Sequence, residues 1–192
     1  MTEPTKTTSA DTNKAILIVV ALVALIAVFL VGRNSDSGTT GDTTGGSTTT
    51  TLSEAQKLLN GGLALHSQGK LTEAEAEYAK VLALEPANKY ALYNVGLIAQ
   101  TGKNYAKAIE YYNNAVKADA KFEAALYNRG LAYRDSGNND AAITDLEAVI
   151  KLNAKNAGAL FNLGNLYIAK GDATKGNDLI AKAKDLNPQL GS

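Results

Sequence analysis

The sequence predicts an all-α protein, in which a stack of four helix-turn-helix repeats follows one transmembrane helix and a disordered linker. Three observations support this fold class. Residue types recur every 34 positions after position 52, and residues 15–31 form an unbroken apolar run. The stretch between these regions, residues 34–52, contains almost no apolar side chains.

The composition excludes several classes of function. The chain has 192 residues with 19 basic and 19 acidic side chains, so it lacks the basic excess that a nucleic-acid-binding domain needs. It has no cysteine, which excludes disulfides and thiolate metal sites. The one histidine, His66, has no second histidine with which to share a metal, so we expect a packed or solvated side chain. No cofactor is expected.

The N-terminal part of the chain predicts a membrane anchor. Residues 1–14 are polar and predict a disordered tail. As a helix, the apolar run of residues 15–31 rises about 25 Å, just enough to cross the hydrocarbon core, and it predicts a transmembrane helix over residues 15–32. Lys14 and Arg33 bracket the run. The alternative is a cleaved signal peptide, but the run is longer than usual for one and no small-x-small site follows it.

The charges beside this predicted helix indicate its orientation. Lys6, Lys14 and the α-amine precede it, whereas Arg33 alone follows before the first acidic residue. Because positive flanks favour the cytoplasmic side, we predict a single-pass membrane protein with a cytoplasmic N-terminus and an extracytoplasmic repeat domain. A simple anchor without a eukaryotic sorting signal favours a bacterial envelope protein.

A predicted linker joins the anchor to the repeats. Residues 33–52 are rich in glycine, threonine and serine, and such a stretch cannot bury enough surface to offset its ordering entropy. As a flexible coil it would span on the order of 23 Å, which makes it a tether for the domain that follows.

Residues 53–192 are predicted to form the repeat domain. Leucine and glycine each recur at steps of 34 without exception, as Leu58, Leu92, Leu126 and Leu160, and as Gly62, Gly96, Gly130 and Gly164. A third small residue recurs at the same step as Ala74, Ala108, Ala142 and Gly176. Pro86 closes the first unit and Pro188 the last.

This order of features resembles the tetratricopeptide repeat, W-x2-L-G-x2-Y…A-x3-F…P. The resemblance covers four units without insertion: 55–88, 89–122, 123–156 and 157–190. Leucine replaces the tryptophan throughout, and Arg129 takes a normally apolar place. The resemblance implies a right-handed α-solenoid that binds other proteins.

Local signals predict where helices begin and end. Capping boxes that start at Ser53 and Thr72 predict two helix starts, and Gly102 is predicted to end a helix. In the last unit, Asn177 and Lys184 replace residues that are apolar in the middle units. A polar final helix predicts that the stack ends after four units.

The resemblance implies that the first helix of each pair lines an inner groove. One column of the groove is unbroken: Asn60, Asn94, Asn128 and Asn162. It is similar to the asparagine ladder of O-linked N-acetylglucosamine transferases, in which such residues grip a peptide backbone. The alternative is that these side chains bond within or between repeats, and the sequence leaves both interpretations open.

Apolar residues are predicted beside this column: Tyr90, Tyr93, Tyr127, Phe161, Leu97 and Leu131. They suit an amphipathic helix or an extended segment with apolar anchors, although some rings could instead pack between helices. The carboxylate clamp of co-chaperones in this family is absent. Of its residues only Asn94 remains, so an acidic C-terminal tail is not the expected ligand.

The sequence shows no poised nucleophile, base or phosphate loop, and we predict that the protein is not an enzyme. The predicted function is a membrane-tethered scaffold that binds a peptide or helix of a partner protein in the groove. The alternative is a structural element that self-associates and clusters complexes at the membrane.

Overall fold

A computed structural model describes residues 52–191, and this part of the chain is all-α. Its eight helices form four hairpins, one for each predicted repeat. They are α1 (Glu54–Ser67), α2 (Leu71–Leu84), α3 (Lys89–Thr101), α4 (Tyr105–Ala118), α5 (Glu123–Asp135), α6 (Asn139–Leu152), α7 (Ala157–Ala169) and α8 (Ala173–Leu186). Each helix contacts the next one along the chain, which is the order of a solenoid.

The recurring glycine allows the two helices of a hairpin to approach closely. A Cβ atom added to Gly62 would lie 2.5 Å from Cε1 of Tyr78, and one added to Gly96 would lie 2.5 Å from Cε1 of Tyr112. Both tyrosine side chains are fully buried. The glycine on the first helix and the ring on the second are therefore two halves of one packing contact.

Only one of the two predicted capping boxes marks a helix start. The Ser53 side chain accepts a hydrogen bond from the Gln56 amide at 3.1 Å, as predicted. The prediction at Thr72 is wrong, because α2 begins at Leu71 and its N-cap is Lys70. The second helices of the other repeats start at the equivalent place, with side-chain caps from Asn104, Asn138 and Asp172. The common hairpin geometry, and not the local motif, sets the start of α2.

The core runs continuously through the stack because some side chains belong to two layers. Leu82 packs against the buried clusters of the first and second repeats, and Val116 packs against those of the second and third. At the equivalent place in α8, Lys184 is exposed, as is Asn177, which agrees with the predicted polar last helix.

The opposite end of the stack is polar or open as well. Lys57 is exposed, and an added Cβ on Gly61 would meet nothing within 4 Å. The equivalent residues of the second repeat, Ala91 and Val95, are 0% and 2% exposed because the preceding repeat covers them.

The structure overturns the predicted localisation as a single-pass membrane protein with an extracytoplasmic repeat domain. No helix within residues 52–191 is both long enough and apolar enough to span a bilayer. Each has 13 or 14 residues and therefore rises only about 20 Å, against a hydrocarbon core of about 30 Å. The tail predicted for residues 1–14, the transmembrane helix predicted for residues 15–32 and nearly all of the linker lie outside the described residues.

Candidate functional site: the inner face of the first helices

The first helices of adjacent repeats are joined directly by side-chain hydrogen bonds. Asn128 on α5 donates from Nδ2 to Oη of Tyr93 on α3 at 3.0 Å, and Asn162 on α7 donates in the same way to Oη of Tyr127 on α5 at 3.2 Å. Helices α3, α5 and α7 are therefore joined in one layer, and α1 carries the equivalent positions of the first repeat. We call the surface of these four helices the groove face, defined by five rows at steps of 34 residues that start at Gln56, Leu59, Asn60, Leu63 and Ser67.

The amide nitrogens of the asparagine column are used within the protein. Nδ2 of Asn94, Asn128 and Asn162 donates to the carbonyl oxygen four residues earlier on its own helix, at 2.7, 2.9 and 2.8 Å. A carbonyl oxygen can only accept, so these bonds set which end of each amide is the nitrogen. Three of the four amide nitrogens, those of Asn94, Asn128 and Asn162, are therefore bonded within the protein.

The amide oxygens of the column differ between the ends and the middle. Oδ1 of Asn60 accepts from Nε2 of Gln56 at 3.1 Å, and Oδ1 of Asn162 accepts from the guanidinium of Arg134. Among residues 52–191, no group donates to Oδ1 of Asn94 or of Asn128, and neither oxygen is fully buried. Each of the two middle repeats therefore has one amide oxygen without a donor among the described residues; Asn128 is half-buried, whereas Asn94 is only 7% exposed.

The predicted aromatic residues split into packed and accessible ones. The Tyr93 ring is 8% exposed and lies 5.3 Å from Phe122 and 5.9 Å from Tyr112, between centroids. Burial raises the pKa of Tyr93 to about 12. Tyr90 is 38% exposed and meets the Phe122 ring edge-to-face at 5.7 Å. The Lys89 ammonium lies 5.1 Å from the Tyr90 centroid. The Tyr90 ring is therefore exposed but contacts both Phe122 and Lys89.

The rings of Tyr127 and Phe161, the other two predicted aromatic residues, each lie close to a glycine. A Cβ atom added to Gly158 would lie 2.8 Å from Oη of Tyr127, so a larger residue there would require this hydroxyl to move. A Cβ atom added to Gly191 would lie 3.1 Å from Cε2 of Phe161. The turn after α8 therefore packs on Phe161 where a following repeat would begin. Leu97 and Leu131 are half-buried and lie between the asparagines and the C-terminal ends of α3 and α5.

The groove face has almost no charge. Of the five rows of four residues, only Asp135 carries a charge at neutral pH, and its carboxylate is paired with the Arg134 guanidinium at 2.7 Å. At the rim, the Lys89 ammonium pairs with the Asp119 carboxylate at 2.6 Å, and that bond raises the pKa of Lys89 and lowers the pKa of Asp119. Within residues 52–191, no group of three histidine, cysteine, aspartate or glutamate side chains is placed to hold a metal.

Two residues that shape this face were not predicted from the sequence. Phe122 contacts both Tyr90 and Tyr93, although it lies in the loop before α5. The equivalent residues of the other repeats are Asn88, Asn156 and Leu190. Arg134 occupies the oxygen of Asn162. In the sequence, only its charge distinguishes Arg134, because the equivalent residues of the other repeats are His66, Gln100 and Ile168.

Comparisons with protein families support the predicted repeats. Family models described as TPR repeat or tetratricopeptide repeat match residues 59–121, 130–171 and 157–190. The prediction of tetratricopeptide repeats is thereby confirmed for this region. Anchoring to a membrane is not shown by any of these matches.

Two solved structures share this fold, and one relative is similar in sequence over part of the chain. A crystal structure of MamA superposes with a TM-score of 0.66 and 23% identity over 71% of this chain and 80% of that one. MamA from Desulfovibrio magneticus RS-1 gives 0.64 and 24% over 72% and 78%. Photosystem I assembly protein Ycf3 of Acaryochloris marina is 36% identical over 67 residues, which cover 33% of this chain and 40% of the relative. The chain thus matches less than half of that relative's length.

Proposed function

We propose that this chain is a non-enzymatic scaffold whose groove face captures a segment of a partner protein. The observation that carries the proposal is the chemistry of that face: an exposed ring at Tyr90 and half-buried leucines at Leu97 and Leu131 on a surface with no unpaired charge. Interfaces of this composition, with aromatic and aliphatic anchors on a rigid frame, concentrate binding energy in a few residues.

Two further points support the proposal. Tetratricopeptide repeats present such a face on a quasi-one-dimensional stack, so the ligand can span several repeats. The relative from Acaryochloris marina is named as an assembly protein, which agrees with a role in bringing polypeptides together. The name of that relative does not identify the partner of this chain.

Self-association by end-to-end stacking has less support. The first repeat offers Lys57 and Gly61 at its outer end, and the last repeat offers Asn177 and Lys184. Stacking two copies would bury ammonium groups against a surface without matching carboxylates in these positions, at a cost in desolvation. Sedimentation of the full chain tests this alternative, and a concentration-dependent assembly would favour it.

The scaffold function is tested by placing a charge on the groove face at two half-buried leucines, of which Leu97 also packs against the buried cluster of the second repeat. We expect Leu97→Glu and Leu131→Glu to abolish binding of linear peptides selected against the full chain from a displayed library, because each places a charge on an apolar contact. Leu84→Glu and Leu152→Glu are matched controls, since these leucines are 52% and 41% exposed on second helices. Equal loss in the two pairs, or no loss in the groove pair, contradicts the proposal.

A further inference from the structure

The charges of the chain are not evenly distributed over its surface. We define the loop edge as four rows at steps of 34 residues that start at Lys80, Ala83, Leu84 and Ala87. These rows cover the last turns of the four second helices and the loops that follow them, and 15 of their 16 residues are exposed. They hold six lysines and one carboxylate, that of Asp185, although the whole chain has 19 basic and 19 acidic residues. The loop edge is therefore a basic surface on a neutral protein.

We propose that the loop edge of the second and third repeats binds an acidic segment of a partner protein. Carboxylates of that segment pair with Lys117, Lys121, Lys151 and Lys155, and one of its apolar side chains packs on Leu152. The loop edge belongs to the second helices and their loops, whereas the groove face belongs to the first helices. A chain that uses both surfaces joins two polypeptides.

The four lysines lie on two helices that one side chain holds together. The Arg129 guanidinium donates to Oδ1 of Asn113 on α4 at 2.9 Å and to both carboxylate oxygens of Asp145 on α6. Lys117 follows one turn after Asn113 on α4, and Lys151 occupies the equivalent place on α6. Each of these two lysines is followed four positions later by another exposed lysine, in the loop. Adjacent repeats therefore present two equivalent pairs of ammonium groups.

The charge of these lysines is available to a ligand. None of the four ammonium groups forms a salt bridge with a carboxylate of residues 52–191. The neighbouring carboxylates have other partners: Asp119 pairs with Lys89 at 2.6 Å, and Glu123 accepts from Asn153 and Asn156 at 3.0 and 2.8 Å. The helix dipole favours a cation in the last turn of α4 and of α6, but two of the four lysines lie beyond those helices.

Exposed apolar side chains lie on the same surface. Among residues 52–191, six large apolar side chains are exposed, and three of them belong to the loop edge: Leu84, Leu152 and Leu186, at 52, 41 and 45%. Leu152 follows Lys151 directly and precedes Lys155 by three positions. A surface that combines ammonium groups with an exposed leucine is complementary to an acidic segment that carries an apolar anchor.

The extent of the basic region favours a short segment over a wide anionic surface. Lys80 of the first repeat is paired with Glu77 at 2.7 Å, and Lys182 of the last repeat is accompanied by Asp185 on the loop edge. The uncompensated charge is therefore confined to the two middle repeats. A lipid bilayer would be contacted along the whole edge, Asp185 included, whereas a short acidic segment can lie on the two middle repeats alone.

Binding of a defined peptide to the full chain tests the inference. The probe is a fluorescein-labelled peptide of glutamates with leucine at every fourth position, and the same peptide with glutamine in place of glutamate is its uncharged control. Fluorescence anisotropy should detect binding of the acidic probe only. Its affinity should fall several-fold as the ionic strength rises from about 0.05 M to about 0.3 M, because salt screens exposed charges.

Charge reversal locates the binding surface. Lys117→Glu with Lys151→Glu should weaken binding of the acidic probe roughly 10- to 30-fold, because it removes two attractions and adds two repulsions. Lys70→Glu with Lys103→Glu is the matched control, since these lysines are exposed at the opposite ends of the hairpins and the change in net charge is the same. The control should leave binding within about twofold, because charges so far from the ligand are screened.

Two leucine variants test the apolar contact. Leu152→Ala should weaken binding of the acidic probe about threefold, and Leu84→Ala, in the same row but outside the lysine group, should leave it within about twofold. Leu131→Glu on the groove face should leave it unchanged, so this measurement is independent of the proposed groove function.

Four results would overturn the inference: equal losses in the two lysine variants, no loss in Leu152→Ala, equal binding of the acidic and uncharged peptides, or tighter binding of another polyanion. The last result is checked with vesicles that contain an anionic phospholipid and with a single-stranded oligonucleotide of the same charge as the probe. Tighter binding of either would show that the loop edge selects a lipid surface or a nucleic acid instead of a polypeptide.

Discussion

The carboxylate of Asp145 on α6 accepts two hydrogen bonds from the Arg129 guanidinium on α5, at 2.6 and 2.7 Å. The two side chains are 5% and 17% exposed, and Arg129 also donates to Oδ1 of Asn113 on α4 at 2.9 Å. This charged pair stands where neighbouring repeats have apolar pairs: Val95 with Tyr111, and Leu163 with Leu179. The unusual arginine of the third repeat is therefore matched by an equally unusual aspartate.

This pair predicts different effects for single and double substitutions. Asp145→Ala should lower the free energy of unfolding by about 3–5 kcal/mol, because it leaves a buried guanidinium without its partner. The Asp145 bond raises the pKa of Arg129, so the arginine stays charged. The double change Arg129→Leu with Asp145→Leu copies the fourth repeat and should be close to wild type or more stable. Urea unfolding followed by far-UV circular dichroism measures both, and equal losses would contradict the argument.

Two consecutive glycines of α1 predict opposite results for the same substitution. Gly62→Ala should destabilise by about 1–3 kcal/mol, because the new Cβ would lie 2.5 Å from the buried ring of Tyr78. Gly61→Ala should stabilise by up to about 1 kcal/mol, because its Cβ meets nothing within 4 Å and alanine favours a helix interior. Thermal unfolding of the two variants side by side checks the prediction, which fails if they shift in the same direction.

His66 predicts a pH dependence of stability. Burial lowers the pKa of His66 from 6.5, and its Nδ1 and the Tyr78 hydroxyl have no hydrogen-bond partner within residues 52–191. The unfolded chain therefore binds the proton first, so stability falls as the pH drops through 6.5 and levels off below the folded-state pKa. Unfolding midpoints measured between about pH 7.5 and about pH 5 show the effect.

The second repeat supplies the control for this histidine. There, Gln100 stands at the place of His66, and its Oε1 accepts from the Tyr112 hydroxyl at 2.7 Å. His66→Gln should provide the same partner for Tyr78, remove this part of the pH dependence and add about 1 kcal/mol of stability. A pH profile identical to that of the wild type would show that another group is responsible.

We predict that replacing Lys103, in the turn after α3, with glycine stabilises the protein. The Lys103 φ of 57° is left-handed, whereas the equivalent residues of the other repeats are Gly69, Gly137 and Gly171, with φ of 76°, 85° and 95°. Lys103→Gly should raise the free energy of unfolding by about 1 kcal/mol because glycine carries no Cβ penalty there. Gly137→Ala is the reverse control and should lower it by a similar amount. The same urea experiment measures both variants.

Much of the fold could be predicted from the repeat itself. The step of 34 residues set the number of hairpins, and the recurring small residues at the Gly62 and Ala74 positions indicated where the helices cross. The start of α2 could not be predicted from the Thr72 motif, because the hairpin geometry shared by all repeats outweighs one local capping signal. The left-handed Lys103 was missed for a related reason, since Gly102 beside it carries the sequence signal for a helix end.

The candidate site, like the fold, could be predicted from the sequence only in part. By itself, the sequence determined the asparagine column and the apolar rows beside it, because side chains at a fixed repeat position share one face of the stack. Only the tertiary structure decided that Tyr93 and Tyr127 are partners of that column. It also decided that, of the four amide oxygens, those of Asn94 and Asn128 accept no hydrogen bond from residues 52–191. Periodicity places a residue on a face, whereas the direction of its hydrogen bonds depends on neighbours 34 residues away, which only folding brings into contact.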